Sequence, residues 1–233
     1  MNDELDYIRY NCERINERIT AAALRAGRSR GDVKLIAVSK TVDAAIAKKS
    51  LEYGITDLGE NRVQELCDKT DIIDVKCNWH LIGHLQTNKV KYIIDKVTMI
   101  HSLDSLELAA EIQKRAEKAA KRIEVLVQVN ISAEDSKFGI KPEETLGFIN
   151  KLAKMGNIKV KGLMTIAPLA ENPEDVRWVF ASLRKLLIDI SKENIDNIDM
   201  DYLSMGMTND FEVAIEEGSS MVRIGTAIFG KRN

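Results

Sequence analysis

Four features of this chain could do chemistry together: a lysine behind an apolar run, two loops that pair glycine with a hydroxyl, and one arginine. Leu35 to Val38 form an apolar run of the length a fully buried parallel strand needs. Lys40 follows two residues later, where such a strand leaves the core. An amine between apolar walls and an open cleft is partly desolvated, which disfavours the ammonium and lowers its pKa. That is the condition for attack on a carbonyl and formation of a Schiff base. Taken by itself, the stretch favours a solvated lysine at a strand end. The loops Ser204-Met205-Gly206-Met207-Thr208 and Gly225-Thr226 each set a glycine and a hydroxyl just before a helix. Glycine lets backbone N–H groups approach an anion, and a helix N-terminus favours negative charge. Either loop alone reads as an ordinary cap, and Arg223 alone reads as a rim salt bridge.

Other candidates carry less. His80 and His84 are four apart and could ligate a metal from one helix face. His80 falls inside an apolar strand and His84 in the loop after it, which spoils that geometry, and no carboxylate or cysteine completes a set. His84 reads as pocket-lining and His80 as a hydrogen-bonded core residue. His101 ends a strand and faces the mouth, the core or the rim. Lys137 is either a second amine near the site or a rim cation. Glu60, Asp104 and Glu107 read as caps or surface, Asp104 and Glu107 having capping-box spacing. The basic residues between Lys114 and Arg122 are interrupted by Glu117 and read as a solvated helix face.

These residues need elements to position them. Leu5, Ile8, Cys12, Ile15, Ile19 and Ala22 or Ala23 recur at helical steps, so an amphipathic helix opens the chain and stops near Gly27. Strands and helices then alternate. The expected strands are Lys34 to Ser39, Ile55 to Leu58, Trp79 to Ile82, Val97 to His101, Ile123 to Val129, Ile158 to Leu163, Met200 to Leu203 and Met221 to Ile224. Pro142 opens one helix, and Asn172-Pro173 caps and starts another that runs to Ile190. Eight βα units predict a closed (β/α)8 barrel with an extra N-terminal helix, one domain over residues 1–233. A doubly wound open sheet is the alternative, but no Gly-x-Gly-x-x-Gly follows the first strand.

Composition excludes several function classes. The 233 residues are 45% hydrophobic and 30% charged, as in an ordinary globular protein. A net charge of -2 with 5% aromatic residues gives no footprint for nucleic acid. No apolar run reaches membrane-span length, and the acidic N-terminus is not a signal peptide. Cys12, Cys67 and Cys77 match no zinc or redox spacing and read as reduced thiols in a cytoplasmic protein.

A barrel gathers the ends of all its strands at one face, with phosphate sites favoured after strands seven and eight. Lys40, Asn61, His84, Lys137, Met164, Ser204 and Arg223 would then ring one mouth, with the two glycine-hydroxyl loops as its phosphate side. An amine facing a phosphate cup suggests pyridoxal 5'-phosphate, which carries an aldehyde at one end and a phosphate at the other. Arg223 would lie between them, near the ring nitrogen. The sequence also resembles the pyridoxal phosphate homeostasis protein family, whose barrel is like the N-terminal domain of alanine racemase. The matching stretches include Ala37-Val38-Ser39-Lys40, Gly59-Glu60-Asn61-Arg62, Trp79-His80-Leu81-Ile82-Gly83-His84, Ser136-Lys137-Phe138-Gly139, Gly162-Leu163-Met164-Thr165, Leu203-Ser204-Met205-Gly206-Met207-Thr208 and Val222-Arg223-Ile224-Gly225-Thr226. The resemblance implies that Lys40 holds the cofactor as a Schiff base. It implies that Ser204, Gly225 and Thr226, with Met205 in the same loop, hold the phosphate, that Arg223 faces the pyridine nitrogen, and that Asn61 and Met164 line the pocket.

An arginine there cannot give the ring nitrogen the proton that makes it a strong electron sink. With the eighth strand close to Asn233, the expectation is a barrel that lacks the racemase's second domain, and with it the second base and the dimer interface. Resemblance and chemistry together favour a monomeric cofactor buffer or carrier, delivering to cofactor-dependent apo-enzymes, over an efficient amino-acid enzyme. A racemase-like enzyme is the alternative.

Overall fold

The computed structural model describes residues 6–134 and 138–230. Eight parallel strands close into a barrel in chain order. They are β1 Lys34–Val38, β2 Asp57–Glu60, β3 Asn78–Leu81, β4 Met99–Leu103, β5 Ile123–Gln128, β6 Ile158–Met164, β7 Ile198–Ser204 and β8 Met221–Ile224. The helices are α1 Asp6–Arg25, α2 Ala44–Glu52, α3 Val63–Ile72, α4 Leu106–Lys118, α5 Pro142–Leu152, α6 Arg177–Ser191, α7 Phe211–Glu216 and α8 Thr226–Phe229. Pairing of β1 with β8, with Ile36 opposite Arg223, closes the ring and excludes the open sheet.

Strand alternation divides the apolar residues into two sets. Leu35, Leu58, Leu81, Val125, Val160 and Val222 face outward, where they meet the apolar stripes of the helices in the main core. Ile36, Met99, Leu126, Met164 and Met221 face inward and, with Tyr202, fill one side of the barrel lumen. Each such side chain, fully buried, contributes about 1.5–3 kcal/mol. Gly162 lets β6 and β7 approach where their register shifts. Its φ of +148° is a glycine conformation, and a Cβ there would lie 1.9 Å from the Tyr202 carbonyl oxygen.

The N-terminal helix has a direct bearing on the mouth. α1 buries Ile8, Cys12, Ile15, Ile19, Ala22 and Ala23. Asn11 Nδ2 donates to the Ile228 carbonyl at 2.9 Å, and Arg18 pairs with Glu212 at 3.1 Å. α1 therefore straps α7 and α8, the short helices that follow β7 and β8.

Several boundaries differ from the sequence expectation. β2 begins two residues late and carries two acidic residues, Asp57 and Glu60, both buried. A strand admits them because each is hydrogen-bonded, Asp57 to His80 and Glu60 to Lys69 and Ser39. β4 is likewise displaced, which moves His101 from a strand end into its middle. The third unit has a 3-10 helix, Thr87–Tyr92, in place of an α-helix. The cap of α4 is Ser105, whose side chain accepts from Leu108 N–H, and not Asp104. Asn172 does cap, accepting from Glu174 N–H, but it opens a 3-10 turn, Pro173–Val176, ahead of α6.

Candidate functional site

The C-terminal ends of the strands surround a cavity of about 670 Å³. Lys40, Asn61 and His84 line one side of it, and Arg223, Gly225 and Thr226 line another. Thr208 to Asp210, after β7, and Ile166 to Ala170, after β6, complete most of the wall.

The backbone at Lys40 is held on both sides. β1 ends at Val38, and Ser39 Oγ donates to Glu60 Oε1 at 2.6 Å. Lys69 Nζ donates to the same carboxylate oxygen at 2.6 Å and to the Ser39 carbonyl at 2.5 Å. Beyond the lysine, Thr41 adopts a left-handed φ of 59°, and its N–H donates to Glu65 Oε2 at 2.7 Å. A threonine in that region is strained and persists because its surroundings enforce it. Glu60 is therefore no cap or surface residue: it is 0% exposed and anchors the turn that presents Lys40. Burial raises its pKa, against the lowering effect of Lys69 and Ser39. Composition gave no warning of this role, because one glutamate after a glycine reads as a loop residue.

His84 forms a wall with Phe138, the two rings stacked 3.9 Å apart at 14°. Its Nδ1 lies 3.4 Å from Asp104 Oδ2. Asp104, expected as a cap, thus orients the imidazole instead. Burial raises the Asp104 pKa, and His84 partly offsets it. Gly83 explains how Asn61 reaches the cavity. A Cβ on Gly83 would lie 2.4 Å from the Asn61 carbonyl oxygen, so the loops after β2 and β3 touch backbone to backbone.

Arg223 is 4% exposed. Its Nη1 donates to Ser204 Oγ at 2.6 Å and its Nη2 to the Thr165 carbonyl at 2.9 Å. Burial lowers its pKa to about 10, with Asp210 pulling the other way, so the guanidinium stays charged at neutral pH. Asp210 accepts from Met207 N–H at 2.6 Å and has its own pKa raised by burial. In the turn after β8 the internal hydrogen bonds begin with Ile228 N–H donating to the Gly225 carbonyl. The turn itself makes no use of the N–H groups of Thr226 and Ala227, as at any helix start.

The structure gathers Lys40, Asn61, His84, Arg223, Gly225 and Thr226 at one cavity. It does not bring Met164, Ser204 or Met205 to that wall. Met164 belongs to the apolar layer inside the barrel, and Met205 to the outer core. Ser204 is fully buried, its hydroxyl bonded to Arg223 and to His101 Nδ1 at 2.9 Å. Met164 sits below the cavity, Met205 behind it, and Ser204 supports Arg223. Thr208 takes the place on the wall that the loop's other hydroxyl was given. Lys137 lies outside the described residues.

Residues 4–233 match the alanine racemase N-terminal domain. The pyridoxal phosphate homeostasis protein of Aquifex aeolicus is 48% identical over 225 residues, covering 95% of this chain and 98% of the relative. The chain belongs to the pyridoxal phosphate homeostasis protein family. Solved structures place this homeostasis-family chain in the same fold. A protein from Bifidobacterium adolescentis, described as unknown, superposes with a TM-score of 0.92 at 34% identity, covering 98% of this chain and 97% of its own. PipY of Synechococcus elongatus, solved with pyridoxal phosphate bound, superposes with a TM-score of 0.80 at 30% identity, covering 93% of this chain and all of its own.

Proposed function

We propose that this chain binds pyridoxal 5'-phosphate covalently through Lys40 and holds it for intracellular buffering or delivery. The observation that carries this reading is the presence of Lys40, Arg223 and the Gly225-Thr226 turn on the walls of one cavity. The donor set fits the cofactor's chemistry: an amine for the aldehyde, N–H groups left over at a helix start for the phosphate, and a buried cation between them. The names of the relatives and the cofactor bound in PipY support it.

When bound, the cofactor supplies an electrophilic carbon that captures amines and, if its ring nitrogen is protonated, an electron sink. The protein's residues limit the second property. Arg223 is anchored by Ser204 and Thr165 and stays protonated, so it would donate to a ring nitrogen placed beside it and could not leave a proton there. Thr208, Gly225 and Thr226 would hold the phosphate, and His84 with Phe138 would exclude water from one side. Residues 1–233 would act as one cofactor-holding unit, a monomer handing cofactor to apo-enzymes inside the cell. Among the described residues no helix is long and apolar enough to cross a membrane.

Titration of the purified protein with the cofactor is expected to produce a saturable visible absorption band that survives gel filtration. Pyridoxal, which lacks the phosphate, should bind at least about tenfold more weakly, the equivalent of 1.4 kcal/mol. A protein that develops no band overturns the reading. Steady amino-acid racemisation would select the enzyme reading over the carrier. Gly83→Ala should push the Asn61 backbone out of the cavity wall and weaken cofactor binding by about tenfold. Unchanged affinity in that variant would show that the Asn61 backbone has no part in binding.

A further inference from the structure

A single file of hydrogen bonds crosses the lumen of the barrel beside the apolar layer. His80 Nε2 lies 2.8 Å from Asp57 Oδ1, and His80 Nδ1 lies 2.9 Å from His101 Nε2. His101 Nδ1 lies 2.9 Å from Ser204 Oγ, which accepts from Arg223 Nη1 at 2.6 Å. All five side chains are buried. One end, Arg223, lies on the mouth cavity. The other, Asp57, lies on a second cavity of about 450 Å³ at the opposite end of the barrel, beside Lys34 and Asn78.

We propose that Asp57, His80, His101 and Ser204 are positioning residues for Arg223, a through-barrel chain that carries the charge state of the floor to the guanidinium at the mouth. Its two ends fix its direction. Asp57 is held well below the usual carboxylate range: burial would raise it, but hydrogen bonds from His80 and Thr56 and the charge of Lys34 outweigh that. An ionised Asp57 makes His80 Nε2 a donor. At the other end Arg223 can only donate, so Ser204 Oγ accepts. His101 is held neutral, its pKa pushed well below the ordinary imidazole value by complete burial, with the positive charges of Arg223 and Lys34 adding to the effect. A neutral imidazole has one donor and one acceptor. With His80 neutral as well, the hydrogens run one way, from Arg223 to Ser204, His101, His80 and Asp57.

Uptake of one proton from water reverses the middle of this chain with no movement of a heavy atom. His80 gains a hydrogen on Nδ1 and becomes an imidazolium paired with Asp57. The hydrogen of His101 then sits on Nδ1 in place of Nε2. Ser204 accepts from His101 as well as Arg223, and its own hydrogen loses its acceptor. The Arg223–Ser204 bond is shared and weakened, with a new buried charge on the far side of His101. The other charged and titratable groups near the chain are Lys34 on β1, 3.2 Å from Asp57, Asp210 facing Arg223, and Tyr202 against the apolar layer. By strand alternation Glu124 and Lys159, paired on β5 and β6, share the inward face at the floor.

Only the readout at the mouth rests on the cofactor reading. In the free protein, long-range 1H–15N correlation spectra of labelled histidines give each tautomer directly. As the pH is lowered, the His101 hydrogen is expected to move from Nε2 to Nδ1 when the chain takes up its proton. A His101 hydrogen on Nδ1 at high pH, or one that stays put throughout the titration, overturns the chain. With cofactor bound, the visible band should shift with the same midpoint. Asp57→Asn should lower both midpoints by about one pH unit or more, because the neighbouring anion is lost. A band midpoint that stays put while the histidine midpoint moves would make the chain structural only. Failure to bind cofactor would overturn the proposed function and leave the tautomer result standing.

Discussion

Lys69→Met is expected to cost about 3–5 kcal/mol of folding stability, the range for removing one partner of a buried ion pair. Glu60 is 0% exposed, and Lys69 and Ser39 both donate to its Oε1. Its Oε2 is buried with no protein partner. Removing the ammonium leaves a carboxyl group in the core with one hydroxyl donor, so it must either stay charged without a counter-ion or take up a proton. In a chain of this length the loss corresponds to a fall in Tm of roughly 10 °C. Lys69 also donates to the carbonyl of Ser39, so the turn carrying Lys40 should loosen and cofactor affinity should fall with stability. Urea unfolding of the two proteins measures the first effect. The double variant Lys69→Met with Glu60→Leu should recover most of the loss, because replacing a buried pair by apolar groups is often neutral. A single variant within about 1 kcal/mol of the parent would show that the pair does not anchor the turn.

Lys40→Ala is expected to have the opposite profile: a fold close to the parent's and no retained cofactor. The substitution removes a half-buried side chain at the cavity wall and leaves the Ser39, Glu60 and Thr41 anchors in place. Phosphate and ring contacts would still give reversible binding, but at least about 100-fold weaker, or about 2.7 kcal/mol. The visible band should be lost and all the cofactor should leave on gel filtration. A variant that keeps the parent's band would place the amine elsewhere in the chain.

The barrel was legible because each βα unit repeats the same pattern of apolar run, turn and amphipathic helix. That Lys40 and Gly225-Thr226 share one cavity wall was legible because they follow strands, and strand ends share one face. Depth along a strand was harder to read. Met164, Ser204 and Met205 also lie at strand ends, yet the first two point inward below the cavity and the third points outward into the core. With a side-chain period of two, one residue of register decides between those fates, and the bulges between β5, β6 and β7 shift that register. Asp57, Glu60 and His101 were hidden for a different reason. Their partners His80, Ser39 and Ser204 come from other units of the fold, and nothing in the local sequence shows that a polar residue will find such a partner.

The most direct measurement is to load the protein with pyridoxal 5'-phosphate, reduce it with borohydride and map the modified peptide. A single modification on Lys40 is the result expected. A modification spread over surface lysines, or placed on Lys137 with Lys40 untouched, would contradict the assignment of the site.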